Sequence, residues 1–387
     1  MEQALSLSYG TLRLAQIGWR VIRLESGPRP GQKTPGDPNR YVGRPAAGPD
    51  RRSYYLAPNV GKEAIAIDLK QEEGRNLLLR IVRNLPVDVF ASNTLPRRYR
   101  ELGIDYETLS RANETLIWIG VSALGPEHPE FPGYDPALQA LLGYMDLTGQ
   151  RNGPPTLMGV PMIDLKAGDE VFAQAMRALA EQAEGKKGTR VDISMARAAA
   201  SWLQTTLPLL DLGATFEDVR RSGNEHREFI PVNAYETADS WLFLAVGNDT
   251  QWRRLTSLDP FRGLSRAGRE TNEGRKAERA AIQSELAAVI RTQRSEDLLP
   301  LLRGAGLVVS PVNAVGAVRD LPGICEHLTR TTLPDGREVR LPPAAVETGR
   351  AEFPLSPRYG EHTRGILEET GLAATEIEAL FERGVVH

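Results

Sequence analysis

Gly133–Gly168 reads GYDPALQALLGYMDLTGQRNGPPTLMGVPMIDLKAG, and the rest of the chain is organised around it. The stretch opens on a loop at Gly133-Tyr134-Asp135 and then shows helical spacing at Leu138, Leu141, Leu142 and Met145. Thr148-Gly149 stops that helix, and Gly153-Pro154-Pro155 forces an irregular connection. Gly159-Val160-Pro161 leads to Asp164, which stands just before a second helical pattern at Val171, Phe172, Ala175, Met176 and Leu179. An aspartate there accepts hydrogen bonds from free helix N–H groups as an N-cap. The positive helix end would also keep it ionised. Spacing alone makes Asp164 a cap and nothing more, since capping aspartates far outnumber catalytic ones.

Working outward on the N-terminal side, residues 8–18 read as a helix and 21–25 as a short strand. Helix, glycine, strand is half of a βαβ unit, and the strand that should precede the helix is missing. Residues 26–52 are rich in Gly, Pro and Arg and read as one long loop. Strands follow at 65–69, 87–91 and 116–121, with a helix from about 72 to 84. This alternation predicts an α/β fold with a parallel sheet covered on both faces. No G-x-G-x-x-G follows any of these strands, so the large domain is Rossmann-like without a dinucleotide fingerprint.

On the C-terminal side, 169–184 reads as helix, 190–194 as strand and 195–205 as helix. Residues 206–222 form a loop-rich linker. A small α+β domain over 223–310 contains a strand at 241–246 and a helix at 251–258. The mixed-charge run 262–278 reads as a solvated helical face. Residues 311–387 return to the large domain, whose first part is 1–205, and 360–387 look helical.

Composition sets the outer limits. The chain has 387 residues, 41% hydrophobic and 25% charged, enough for a large core and two domains. A net charge of −3 gives no global field for nucleic acid or an anionic membrane. No apolar run approaches the length of a membrane span, and no signal peptide opens the sequence. The single cysteine, Cys325, allows no internal disulfide and fits a reducing, cytoplasmic setting. It stands beside Glu326 and His327, but a lone Cys in a Gly- and Pro-rich connection reads as packing. The five histidines (128, 226, 327, 362, 387) lack metal-ligand spacing, so no metal is implied.

The motif G-Y-D-x-x-x-Q-A-x-x-G-x-M-x-x-T-G followed by G-x-P-x-x-D-x-x-x-G resembles the core signature of the class III CoA-transferases, the formyl-CoA:oxalate, carnitine and benzylsuccinate enzymes. Further segments are similar to the same family: Asn59-Val60-Gly61-Lys62 with Asp68-Leu69-Lys70, Gly188 to Met195, Gly223-Asn224, Ala245 to Trp252, and Gly360-Glu361-His362-Thr363. The resemblance implies a large domain built from both chain ends, a smaller domain, and two subunits threaded through one another as an interlocked dimer. It makes Asp164 the nucleophile. It places Tyr134, Asp135, Arg40, Lys62, Asn93, Arg97, Gly223 and Asn224 among the CoA- and substrate-binding candidates. Backbone groups near Gly223, Tyr134 and Asp135 become candidate oxyanion donors, and Asp135 reads equally well as a loop cap. No permanently bound cofactor is implied. The substrates are an acyl-CoA, with succinyl-CoA as the family-level donor, and an organic or dicarboxylic acid.

The departures from the family pattern carry their own expectation. Where the family has an A-G-P turn after its first strand, this chain has Ser6-Leu7-Ser8. Its N-F-R-P is Asn93-Thr94-Leu95-Pro96, and the arginine of its R-L-G is Glu101. Loss of two cations weakens phosphate binding unless Arg97, Arg98 or Arg100 compensates. The chain is therefore either an active homodimeric transferase or a weakened subunit partnered by a complete homologue. An acyl-CoA racemase ranks below both, because the racemase G-H-D is here Gly133-Tyr134-Asp135 and only His128 lies near.

Overall fold

The computed structural model describes residues 1–28 and 34–387. By contacts the chain forms two units. One comprises Met1–Gly143, Met158–Pro208 and Pro322–His387, the other Tyr144–Leu157 and Leu209–Leu321. These bounds differ from those read off the sequence. Most of 206–222 joins the smaller unit and carries two short helices, Leu207–Asp211 and Phe216–Val219. Tyr144–Leu157 leaves the central stretch to join it as well.

In the larger unit, helix α1 (Ser6–Gln16) leads to strand β1 (Ile22–Ser26), which pairs in parallel with β2 (Glu63–Ile67), Leu24 opposite Ile65. Part of the expected long loop is ordered: a 3-10 turn spans Pro38–Tyr41, with the Asp37 carboxylate accepting from Asn39 N at 2.9 Å. Residues 29–33 of that loop lie outside the described residues. Helix α2 (Glu72–Asn84) then packs Leu77, Leu78, Ile81 and Val82 into the core. Strands β3 (Val89–Ser92), β4 (Ile117–Ser122) and β5 (Arg190–Ser194) form a second parallel sheet, with β4 central and all but its last residue buried. Trp118 on β4 is fully buried and donates its indole N–H to Ile104 O at 2.7 Å.

The expected parallel sheet is thus divided. Among the described residues β1 and β3 do not pair. A cavity of about 450 Å³ is lined on one side by Ile22, Leu24 and Ile65 and on the other by Val89, Phe90 and Ala91. Met1 sits at this gap: its ammonium donates to Ala91 O at 2.6 Å, and its carbonyl accepts from Asn93 N at 3.4 Å. Burial pushes that amino group down to about 5. At the other chain end, helices Thr363–Glu369 and Ala374–Glu382 precede a bridge between Val386 and Ile67 of β2.

The smaller unit holds an antiparallel sheet of β6 (Val232–Glu236), β7 (Trp241–Ala245) and β8 (Val308–Pro311). Its core gathers Leu242, Leu244, Trp252, Phe261, Ile282, Leu286 and Leu302. The charged run 262–278 is not simply a solvated face. Arg269 and Arg275 are fully buried, Arg269 between Glu278 and Glu285 at 2.7 Å each, and Arg275 on Asp249 at 2.8 Å and Ile230 O at 2.7 Å. Paired guanidinium groups tolerate burial where lone charges do not.

Helix α3 (Asp135–Leu141) ends before Gly143, which has a φ of +80°. The 22-residue helix α4 (Met162–Ala183) carries Asp164 and crosses α1 closely. A Cβ added to Gly168 would lie 2.6 Å from Ser6 O and 2.9 Å from Gly10 N, and one on Gly10 would lie 2.8 Å from Gly168 O. Both neighbours are backbone, so neither can step aside cheaply. Gly168→Ala should therefore destabilise the chain by about 1–3 kcal/mol, as overpacking does, seen as a lower urea midpoint. An unchanged midpoint would show that the crossing has room to spare.

Candidate active site

Helix α4 begins after Pro161, which supplies no side-chain cap. Asp164 is the third residue of the helix, inside its first turn, so the expectation that it caps the helix is corrected. The cap comes from another helix. Asp135, first residue of α3 and 3% exposed, accepts from Ile163 N at 2.7 Å and Asp164 N at 3.1 Å through one carboxylate oxygen. Met162 N donates to Val160 O and Leu165 N to Pro161 O. Pro161 has no N–H and Leu165 begins the regular ladder, so the three N–H groups that this helix start leaves unsatisfied, those of Met162, Ile163 and Asp164, are all engaged within the chain.

The sequence reading holds Gln139 as a letter of the motif but gives it no role. It is fully buried and donates to the other Asp135 oxygen at 2.6 Å. Its carbonyl oxygen accepts from Met158 N at 3.1 Å, and its amide reaches Val160 O at 3.4 Å. The signal was present, because Asp135 and Gln139 stand four apart on one helix face.

The field at Asp164 also corrects the expectation that it is held ionised. Burial first, and the nearby charge of Asp135 second, raise its carboxyl to about 7. The favourable helix end is occupied by Asp135, so Asp164 meets like charge there. Just before the helix the connection is open: Gly159 and Val160 are exposed. The arrangement is a partly buried carboxyl group whose charged form is disfavoured by burial and by Asp135, in the first turn of a helix and beside an accessible loop.

The other candidates are dispersed. Tyr134 is 75% exposed immediately before α3. Asn93 is tied to Gln3, donating to its carbonyl at 2.7 Å and accepting from its N–H at 3.0 Å. Arg97 is exposed on the turn Pro96–Arg98 and pairs with Glu130 at 3.1 Å. Glu101 is exposed and paired with Arg98 at 3.4 Å. Arg40 and Lys62 lie in a buried polar network. Arg40 grips Glu25 at 2.6 Å, and Lys62 contacts Glu2 at 2.9 Å, Ser8 O at 2.8 Å and Thr11 Oγ1 at 2.8 Å. Burial alone would raise the Glu2 carboxyl, but Lys62 and Arg23 outweigh it and hold Glu2 down to about 2. Gly223, with a φ of +68°, and the exposed Asn224 belong to the smaller unit. There Gly223 N donates to Gly149 O at 2.9 Å, so it is already engaged. Cys325 is exposed and free. Among the described residues no group of three His, Cys, Asp or Glu could hold a metal, and no helix is long and apolar enough to cross a membrane.

Known proteins resemble the chain along nearly all its length. It is 31% identical over 326 residues to the acetyl-CoA:oxalate CoA-transferase of Acetobacter aceti, covering 83% of this chain and 81% of that one. It is 26% identical over 379 residues to the human succinyl-CoA:glutarate CoA-transferase, covering 95% and 84%. A crystal structure of a CAIB/BAIF family protein from Brucella suis superposes with a TM-score of 0.81 at 28% identity, covering 96% of this chain and 97% of that one. The model of CoA-transferase family III matches residues 1–363, and the chain is an enzyme belonging to that family.

Proposed function

We propose that the chain moves CoA between carboxylic acids, with Asp164 as the covalent nucleophile. The observation that carries this reading is the Asp164 carboxyl, raised to about 7 at the start of α4 beside an exposed loop. The ionised carboxylate attacks the thioester carbonyl of the donor acyl-CoA and expels the CoA thiolate, leaving a mixed anhydride. The thiolate attacks the Asp164 carbonyl, releasing the donor acid and forming an aspartyl-CoA thioester. The acceptor carboxylate attacks that thioester, and the freed thiolate then takes the acceptor acyl group, restoring Asp164. Each step exchanges leaving groups of similar energy, which is why a carboxylate suits the role. The raised basicity strengthens Asp164 as a nucleophile while leaving it largely ionised at pH 8.

Succinyl-CoA as donor follows the name of the glutarate relative, and a dicarboxylic acid as acceptor follows the names of both the glutarate and the oxalate relatives. No permanently bound cofactor takes part, and the setting is cytoplasmic. Arg97, Arg98 and Arg100, at or beside one short turn, are the cations for the CoA phosphates, since Arg40 and Lys62 are committed to buried ion pairs. An interlocked homodimer is supported by apolar side chains left in the open, Leu212 and Phe216 at 80% exposure each.

Hydroxylamine added with succinyl-CoA should trap a hydroxamate on the Asp164 peptide, read by mass spectrometry. Turnover without that modification would remove Asp164 from the mechanism. Leu95 and Glu101, where the family has arginines, favour a second reading in which a homologous subunit supplies the main CoA site. Calorimetric titration of the isolated chain with CoA separates the two: tight binding supports the homodimer, weak binding the heteromer.

A further inference from the structure

We propose that Asp135 and Gln139 are positioning residues of the transfer reaction. Asp135 holds the start of α4 and sets the basicity of Asp164, and Gln139 fixes the loop that delivers the chain into that helix. The proposal rests on Asp164 being the nucleophile. Neither side chain is placed to meet substrate, because both are buried and every hydrogen bond they make is internal.

The geometry separates two jobs. A neutral acceptor would satisfy Ile163 N and Asp164 N as well as a carboxylate does, since a cap needs only an oxygen in the right place. The negative charge is a further feature, and its cost is plain. It stands at the backbone of the residue whose own carboxyl must ionise. Other charges on the elements packed against α4 are engaged elsewhere or act at a distance. Tyr9 and Arg13 lie on α1, with Arg13 in an ion pair with Asp169. Lys166 pairs with Glu170 at 2.5 Å, and Arg190 with Asp192 of β5 at 2.8 Å. Arg197 lies on the helix Met195–Ala200 that follows β5. Besides burial, the influence acting on Asp164 is the charge of Asp135.

Gln139 completes the device. Its amide donates to Asp135 while its carbonyl oxygen receives Met158 N, so Asp135, the loop 158–160 and the start of α4 form one hydrogen-bonded ring. A glutamine serves here because it both donates and accepts.

The test is the pH profile of kcat/KM for succinyl-CoA, read beside thermal melting and hydroxylamine trapping at Asp164. Asp135→Asn keeps a cap oxygen and removes the charge, so the acid limb should fall by about one pH unit from its wild-type position near 7. In the double variant Asp135→Asn/Gln139→Glu, donor and acceptor are exchanged and the charge moves away from Asp164. Its melting temperature should recover toward wild type while the limb stays low. A role confined to folding predicts the opposite, with melting changed and the limb fixed. If wild type shows trapping at Asp164 but the limb does not move in either folded variant, the positioning role is overturned. Absence of trapping in wild type would instead remove the nucleophile, a separate failure.

Discussion

Asp164→Asn is expected to lower CoA transfer by roughly 10⁴-fold or more, the scale seen when an enzyme loses its nucleophile, while the protein gains stability at pH 8. An amide cannot form the mixed anhydride, so chemistry stops at the first step. The stability gain follows from the raised carboxyl. Between the ordinary range near 4 and about 7, the folded chain keeps a proton that the unfolded chain has lost, so stability falls as pH rises through that window. Above about 7 the full cost stands. The variant, with nothing to ionise, should exceed wild type by about 1–3 kcal/mol at pH 8, and the difference should vanish near pH 4. Thermal melts at the two pH values, alongside kcat/KM, check both halves. Full turnover in the variant would sink the nucleophile. An equal stability difference at both pH values would sink the raised carboxyl.

Most of the larger unit's order was legible because its signals are local. Buried parallel strands give short apolar runs, as in Ile117–Ser122, and α2 follows from Leu77, Leu78, Ile81 and Val82 recurring at helical spacing. Partition of the sheet was not legible, since pairing between β1 and β3 depends on what lies between two edges distant in sequence. Only the structure shows the cavity and the buried Met1 amino group between those two edges. Burial of Arg269 and Arg275 was equally hidden. Charge density in 262–278 reports solvation on average, whereas Asp249, the partner of Arg275, and Glu285, one of the two partners of Arg269, lie outside the run.

The candidate site was drawn from a motif, and its electrostatics were misread. A motif locates Asp164 and Asp135, but capping depends on which carboxylate reaches the helix start in space. Pro161 occupies the N-cap position of α4 and Asp135 arrives from α3, so the rule that an aspartate near a helix start is its cap and stays ionised fails for Asp164. Gln139, a letter of that motif, was given no role because a glutamine on a helix is ordinarily solvated, and only its burial makes it a clamp. Arg40 and Lys62 came from family resemblance, which carries no information on whether a cation faces a phosphate or an internal carboxylate.

That last ambiguity yields a second large effect, on stability rather than catalysis. Arg40→Met should destabilise the chain by about 3–5 kcal/mol, the usual cost of removing one partner from a buried ion pair. The Arg40 guanidinium is fully buried, 2.6 Å from Glu25, 2.9 Å from Pro357 O, and 4.0 Å from the centre of the Tyr55 ring. Methionine keeps much of the stem's volume, so the loss comes mainly from the charge. Glu25 then stays buried with Arg23 at 3.1 Å as its remaining charged partner, and Arg23 is already shared with Glu2 and Asp37. Denaturant unfolding should show the drop, with the KM for acyl-CoA unchanged at temperatures where the variant remains folded. A CoA-gripping arginine predicts the reverse, an intact midpoint and a raised KM. Arg97→Ala supplies the contrast within the same protein. Exposed and paired with Glu130, it should leave unfolding unchanged and raise KM, because a surface ion pair adds little stability while a lost phosphate contact weakens binding directly.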